Sequence, residues 1–257
     1  SPPGLAIFPR LGYNKENPVR RFVMPYYYFD WTYVVLVLPC VLLSLWASAN
    51  VNSTFRKYSQ QYSSRRLTGA EAAQRVLSAN GVYGVRIERI SGNLTDHYNP
   101  SAKTLNLSDS VYNSTSVAAV GVAAHECGHA IQHQNSYFPL TLRTAIVPAA
   151  NLGSTLAWPL ILIGLFFTRN TGAVLINLGI ICFSFAVIFQ LVTLPVEFNA
   201  SARALRILGE QGILSDSELP YTKKVLKAAA LTYVASAAAA ILQLLRLVLL
   251  FGGRDRD

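Results

Sequence analysis

Four long runs of apolar residues without charge constrain this 257-residue chain more than any other feature of its sequence. A helix needs about 20 such residues to cross the roughly 30 Å hydrocarbon core of a bilayer. We predict spanning helices at 31–51, within 144–168, at 173–196 and from 228 to about 246. Only 14% of the residues are charged, against about a quarter in soluble domains. We therefore expect a polytopic membrane protein, and we disfavour the alternative of a buried helical hairpin in a soluble protein.

The first apolar run, at 31–51, could be an uncleaved membrane anchor or a cleaved signal peptide. The run has no clear small-residue cleavage site after it, and it is long for the apolar part of a signal peptide. We favour an uncleaved anchor.

Residues 1–23 are rich in Pro, Gly and Arg, and they precede Met24, the single methionine of the chain. We expect Met24 to be the natural start and 1–23 to be an extension. The second run is the least regular of the four, because it contains Pro148 and Pro159.

The central motif is His125-Glu126-Cys127-Gly128-His129, an HExxH sequence on a helix predicted over 116–134. Histidines at i and i+4 lie one above the other on a helix, so both imidazoles can reach one Zn²⁺ at about 2.0–2.1 Å. Zinc lowers the pKa of a bound water to about 7, and Glu126 can accept the proton of that water. The motif therefore predicts zinc-dependent peptide hydrolysis with Glu126 as the general base.

A catalytic zinc needs a third protein ligand. His133 is unsuitable, because it lies about 12 Å beyond His125 along a straight helix. Glu197 is the only acidic residue between Glu126 and Glu210. A carboxylate at the end of an apolar run is costly unless it is paired or bound to a metal. We predict Glu197 as the third ligand, with an ordinary interfacial glutamate as the alternative.

Other polar groups are candidates for supporting roles. Asp96 and Asp109 are rivals for the third ligand, but both lie in turn-like segments, where Asp usually accepts hydrogen bonds from backbone amides. An oxyanion needs a donor, for which His97 and Tyr233 are candidates, although a turn histidine more often bonds its own neighbours. The thiol of Cys127 points away from the ligand face of its helix, and we expect it to pack.

The crossings place the motif and the third ligand on one side of the membrane. With the N-terminus on side A, the first span delivers 52–143 to side B, and the next two spans return Glu197 to side B. Side B carries fourteen basic residues and side A three, counted from Met24. Those on side B are Arg56, Lys57, Arg65, Arg66, Arg75, Arg86, Arg89, Lys103, Arg143, Arg203, Arg206, Lys223, Lys224 and Lys227; those on side A are Arg169, Arg254 and Arg256. The positive-inside rule predicts that side B is cytoplasmic.

The fold class expected is mainly α, with about four transmembrane helices and a small α+β zinc-peptidase region. A capping box at Thr68 and Glu71 predicts a helix to residue 79, and strands are predicted at 85–90 and 104–107. The expected organisation is an extension at 1–23, a first transmembrane helix at 24–51, a cytoplasmic catalytic region at 52–143, two transmembrane helices at 144–196, a cytoplasmic helical segment at 197–227, and a last transmembrane helix and tail at 228–257.

Several motifs in order resemble the bacterial YugP-type neutral zinc metallopeptidase family, over nearly the whole chain. They include TGAEAAQRVLSANG, LTDHYNP, SVAAVGVAAHECGHAIQHQ, LPVEFNASARAL and LTYVASAAAAILQLLR. The resemblance implies a membrane-bound zinc peptidase of bacterial origin. The fourth motif is also similar to a helix of HtpX-type membrane proteases and CAAX prenyl proteases, whose glutamate is the third zinc ligand; this role carries over to Glu197. Those relatives usually have Asp where this chain has Ser201.

The leading hypothesis is an inner (plasma) membrane endopeptidase with one Zn²⁺ per chain, acting on membrane or membrane-near proteins. One alternative is a membrane scaffold or zinc-binding adaptor, which would not need Glu126. Another is a site-2-type intramembrane protease, whose HExxH lies inside a spanning helix and whose partner acid is an aspartate. The expected partners are a peptide substrate and the lipid bilayer. No basic stripe interleaved with aromatics indicates nucleic-acid binding, and three scattered cysteines indicate no disulfide framework.

Overall fold

The computed structural model describes residues 31–252, except for the side chain of Arg169. The expected extension at 1–23, Met24 and the basic residues Arg254 and Arg256 lie outside the described residues. The helices of the described part are α1 (Leu38–Ser59), α2 (Gly69–Ala79), α3 (Asp109–Tyr112), α4 (Val117–Gln134), α5 (Phe138–Phe166), α6 (Arg169–Glu210) and α7 (Leu219–Phe251). The strands are β1 (Arg86–Ile90), β2 (His97–Asn99) and β3 (Thr104–Ser108).

The long helices α1, α5, α6 and α7 are each long and apolar enough to cross a membrane, as the sequence predicts. A π-helical turn, Tyr33–Val37, precedes α1. The 42 residues of α6 span about 63 Å, roughly twice the thickness of a hydrocarbon core. If its apolar part is centred in the bilayer, its last turns must extend beyond the membrane. Glu197 lies at the beginning of this extension.

Helices α5 and α6 pack along their length through small residues. A Cβ atom added to Gly153 would collide with the backbone carbonyl oxygen of Cys182, and one added to Gly179 would lie 2.8 Å from that of Ala157. Backbones at this separation gain dispersion contacts and need no large side chain between them. The pair forms the hairpin that returns the chain to the side of the HExxH motif.

The polar region between α1 and α5 contains a three-stranded sheet in the order β1-β3-β2. The central strand, β3, pairs in parallel with β1 and antiparallel with β2, and all five of its residues are buried. The predicted helix α2 has the bounds expected, and the Thr68–Glu71 capping box is present. The fold class is therefore the expected one, mainly α with a small α+β region.

Helix α4 carries the HExxH motif through the centre of this region. Its buried residues share one apolar cluster with residues of α2, α6 and α7. Helices α4 and α6 approach each other closely at Gly128, where an added Cβ would lie 2.7 Å from the carbonyl oxygen and 3.0 Å from the Cα of Ala200 on α6. Backbone atoms cannot move aside as a flexible side chain can. The separation of α4 from α6 therefore requires glycine at position 128.

We predict that Gly128→Ala lowers the free energy of unfolding by about 1–3 kcal/mol, because the methyl group forces two packed helices apart. Gly209→Ala is the matched control on α6, since its Cβ would meet only the end of the Leu219 side chain, at 3.1 Å. Alanine is the better helix former by about 1 kcal/mol, so the control should be neutral or stabilising. Thermal unfolding in detergent measures both variants. Equal stability of the two would contradict the close contact.

Candidate metal centre

Three side chains from two helices converge on one point. The Nε2 atom of His125 lies 3.2 Å from Oε2 of Glu197, and the Nε2 atom of His129 lies 3.5 Å from the same oxygen. All three side chains are nearly buried, with exposed fractions of 13%, 12% and 3%. Helix α4 provides the two imidazoles on one face, and α6 provides the carboxylate from the opposite side. The structure thus brings the expected third ligand to the HExxH motif.

The two separations from Glu197 Oε2 fit a tetrahedral zinc site. Two ligand atoms that are each about 2.05 Å from a zinc ion, at the tetrahedral angle, lie about 3.3 Å apart. The two distances from Glu197 Oε2 to the imidazole nitrogens fall on either side of this value. Two imidazoles and one carboxylate are also the donor set of many catalytic zinc sites, which keep a fourth position for water. The residues present therefore fit the metal that the sequence predicts.

Both imidazoles are oriented by hydrogen bonds at their other nitrogen. Nδ1 of His125 lies 3.0 Å from the hydroxyl oxygen of Ser201, and Nδ1 of His129 lies 3.1 Å from Oε1 of Gln132. The Gln132 amide nitrogen donates to the carbonyl of Val196 and to Oδ1 of Asn199, so its oxygen must face His129. This oxygen can only accept, which places the proton of His129 on Nδ1 and leaves the Nε2 lone pair for a metal.

Asn199 is itself held in place. Its Oδ1 accepts a hydrogen bond of 2.7 Å from Nε of Arg203 in addition to the one from Gln132. A connected network of hydrogen bonds therefore links Arg203, Asn199, Gln132 and His129, in which Asn199 Oδ1 accepts from both Arg203 and Gln132. Since Gln132 is completely buried, any other orientation of its amide would leave polar atoms without partners.

Glu126 is positioned from the sheet. Its Oε2 accepts a hydrogen bond of 3.1 Å from the backbone N–H of Tyr98 on the edge strand β2. Glu126 is buried, and its ligand atom lies within 4.8 Å of those of His125 and His129. Burial raises the pKa of the Glu126 carboxyl, and the two nearby imidazoles lower it to a smaller extent. A raised pKa suits a carboxylate that must accept a proton near neutral pH.

Two further groups lie beside Glu197. Arg143 of α5 places a guanidinium nitrogen 3.7 Å from Oε1, and the side chain of Tyr233 on α7 lies near the same carboxylate. The oxygen that faces the imidazoles is thus Oε2, while Oε1 is directed toward Arg143. The cation offsets part of the cost of burying the carboxylate.

The other residues considered from the sequence are bonded elsewhere. His97 contacts Thr95 O through Nδ1 and the Asn106 amide through Nε2, so both of its nitrogens have partners. Asp96 accepts two hydrogen bonds from Ser108. Asp109 pairs with Arg89 and the backbone of Gly92, and His133 contacts the Tyr98 hydroxyl. The thiol of Cys127 is fully buried and reaches only a carbonyl of α2, in agreement with a packing role.

Sequence reasoning did not find four of the residues around the metal centre: Gln132, Asn199, Arg143 and the backbone donor Tyr98. Gln132 and Asn199 are polar residues beside the predicted ligands, a signal that the sequence did contain. Arg143 was counted only among the basic residues of side B. No sequence pattern marks a backbone N–H as a partner of Glu126, because the contact joins residues 28 positions apart.

Comparison with known proteins agrees with this geometry. The model of a family described as "Putative neutral zinc metallopeptidase" matches residues 33–252. A curated relative, "Putative membrane protease YugP" of Bacillus subtilis (strain 168), is 47% identical over 226 residues, which cover 88% of this chain and 99% of the relative. No solved structure matches the chain. The chain belongs to the family of neutral zinc metallopeptidases and is a membrane metallopeptidase.

Proposed function

We propose that this protein is an endopeptidase that hydrolyses peptide bonds of membrane or membrane-near proteins, with one Zn²⁺ per chain held by His125, His129 and Glu197. The observation that carries the proposal is the approach of one Glu197 oxygen to both Nε2 atoms, at 3.2 and 3.5 Å. The hydrogen bond that His129 Nδ1 donates to Gln132 supports it, because this bond leaves the Nε2 atom of His129 free to bind a metal. Ser201 likewise bonds Nδ1 of His125 and not its Nε2.

The bound metal would supply a polarised water of lowered pKa. Glu126 would accept the proton of this water and later transfer it to the leaving amine, and the Tyr98 N–H holds its carboxylate in one orientation. Of the two oxyanion donors considered, Tyr233 is the better placed, since its side chain lies near Glu197. His97 would first have to break a bond to Thr95 or Asn106.

Two alternatives have less support. A scaffold or zinc adaptor has no use for a buried carboxylate beside the two histidines, yet Glu126 is held there by its own hydrogen bond. A site-2-type intramembrane protease would carry the motif inside a spanning helix. Helix α4 is not among the candidate spans of the described part, and it packs in the apolar cluster formed with α2, α6 and α7.

The same proposal includes the orientation in the membrane. The excess of basic residues beside the metal centre predicts that this centre faces the cytoplasm of a bacterial cell, at the inner (plasma) membrane. The loop between α5 and α6 then faces outward.

We predict that Glu126→Gln lowers the hydrolysis of labelled casein by about 10²–10⁴-fold while zinc stays near one per chain. The amide keeps the size of the side chain but cannot accept the proton. Glu88→Gln, at an exposed position on β1, is the control and should retain activity. Metal analysis that finds zinc lost from Glu126→Gln would make Glu126 a ligand and contradict its assignment as base.

Glu197→Ala should lose most of the bound zinc and most of the activity, because the site falls to two protein ligands. Asp96→Ala should keep its zinc, since the Asp96 carboxylate accepts hydrogen bonds from Ser108. Glu210→Ala removes an exposed carboxylate from the same helix and controls for the loss of charge. Zinc retained by Glu197→Ala and lost by Asp96→Ala would move the third ligand to the polar region.

Cysteine labelling tests the orientation. Ser101 and Thr168 are both exposed, the first beside the sheet and the second in the loop between α5 and α6. In a Cys182→Ser background, a membrane-impermeant maleimide added to intact cells should label Thr168→Cys and not Ser101→Cys. The reverse pattern would overturn the cytoplasmic placement and leave the zinc site unaffected.

A further inference from the structure

A cleft of about 540 Å³ lies between α6 and α7 beside the metal centre. Its walls are apolar and include Ala202 and Leu205 from α6 and Ala230 and Leu231 from α7. The volume is typical of ligand sites, which measure about 300–1,000 Å³. No step of the proposed reaction uses these walls.

One end of the cleft adjoins the metal centre at two places. Ser201 lines the cleft, and its hydroxyl also holds Nδ1 of His125. Val234 lines it as well and follows Tyr233, whose side chain lies near Glu197. A molecule in the cleft would therefore lie against Ser201 and so beside the imidazole of His125.

The other end of the cleft is cationic. Lys223 and Lys227 lie one turn apart on α7 and are exposed, and neither takes part in an ion pair within residues 31–252. Along the helix, Lys227 lies about 9 Å and Lys223 about 15 Å from Tyr233. An extended peptide covers about 3.3 Å per residue, so these distances correspond to about three to five residues.

We propose that this cleft binds the substrate, as a peptide segment with small or medium apolar side chains that carries an Asp or Glu about three to five residues from the cleaved bond. The inference rests on the proposed function and specifies its substrate class. Apolar side chains fill the walls, and the acidic side chain reaches Lys223 and Lys227. A phospholipid could match the same combination of apolar walls and cations. A peptide is favoured because the cleft adjoins, at Ser201, the metal centre of a metallopeptidase.

The test measures binding without catalysis, in the full-length Glu126→Gln protein loaded with zinc in a neutral detergent. The probes are acetylated and amidated fluorescent peptides of about twelve residues, rich in Ala and Leu. One series of peptides has a single Glu about four residues before the centre, and a second series has it about four residues after the centre. Each Glu peptide has a counterpart with Gln at the same position. Fluorescence anisotropy gives the dissociation constants.

We expect one of the Glu peptides to bind about fivefold more tightly than its Gln counterpart, as an ion pair near the surface allows. In the Lys223→Gln/Lys227→Gln variant this preference should fall below about twofold. Lys224→Gln, on the same helix but outside the cleft, should keep it. Ala202→Phe should fill the cleft and weaken all the peptides about tenfold at unchanged zinc content.

Equal affinity for Glu and Gln peptides in the parent protein would overturn the proposal, as would an equal loss in the Lys224→Gln control. Reduced binding of the double variant to phosphatidylglycerol vesicles, with peptide preference unchanged, would identify a lipid site instead and also overturn it. Hydrolysis by the protein that retains Glu126 is measured separately. Peptides that bind with the expected preference but are never cleaved contradict the proposed function and not the cleft. Cleavage without the preference contradicts the cleft alone.

Discussion

The burial of the Glu197 carboxylate is the constraint on which the rest of the structure depends. Only 3% of this side chain is exposed, at the point where a long apolar helix continues beyond its membrane segment. A buried anion without partners would cost several kcal/mol. The fold brings side chains to it from three other helices: His125 and His129 from α4, Arg143 from α5 and Tyr233 from α7. The order of the helices can thus be understood as the arrangement that brings these side chains to one carboxylate.

The same stretch of α6 also fixes the orientation of the imidazoles. Ser201 lies one turn after Glu197 and bonds His125, while Asn199 and the carbonyl of Val196 hold the Gln132 amide that faces His129. A rotation of α6 about its axis would remove the carboxylate and both orienting groups together. The contact of Gly128 with the Ala200 backbone fixes the distance between the two helices at this level. The positions of the candidate ligands therefore depend directly on how α4 and α6 pack against each other.

Much of this arrangement could be predicted from local patterns. The capping box predicted the end of α2 at residue 79, and the helix predicted over 116–134 corresponds to α4. Glu197 was identified by elimination and by counting crossings, and the structure places it beside both histidines, although its binding of zinc stays a prediction.

The remaining features depend on contacts between distant residues or on very short elements. Strand β2 has three residues and α3 has four, too few for a periodic pattern to appear. The bond between Gln132 and Asn199 joins residues 67 positions apart. Ser201 shows how a contact between distant residues affects the charge of the site. An Asp at this position would place a second carboxylate one turn from Glu197, in a site that already contains Glu126. Like charges one turn apart destabilise a helix, and burial increases that cost. A hydroxyl holds His125 without adding charge.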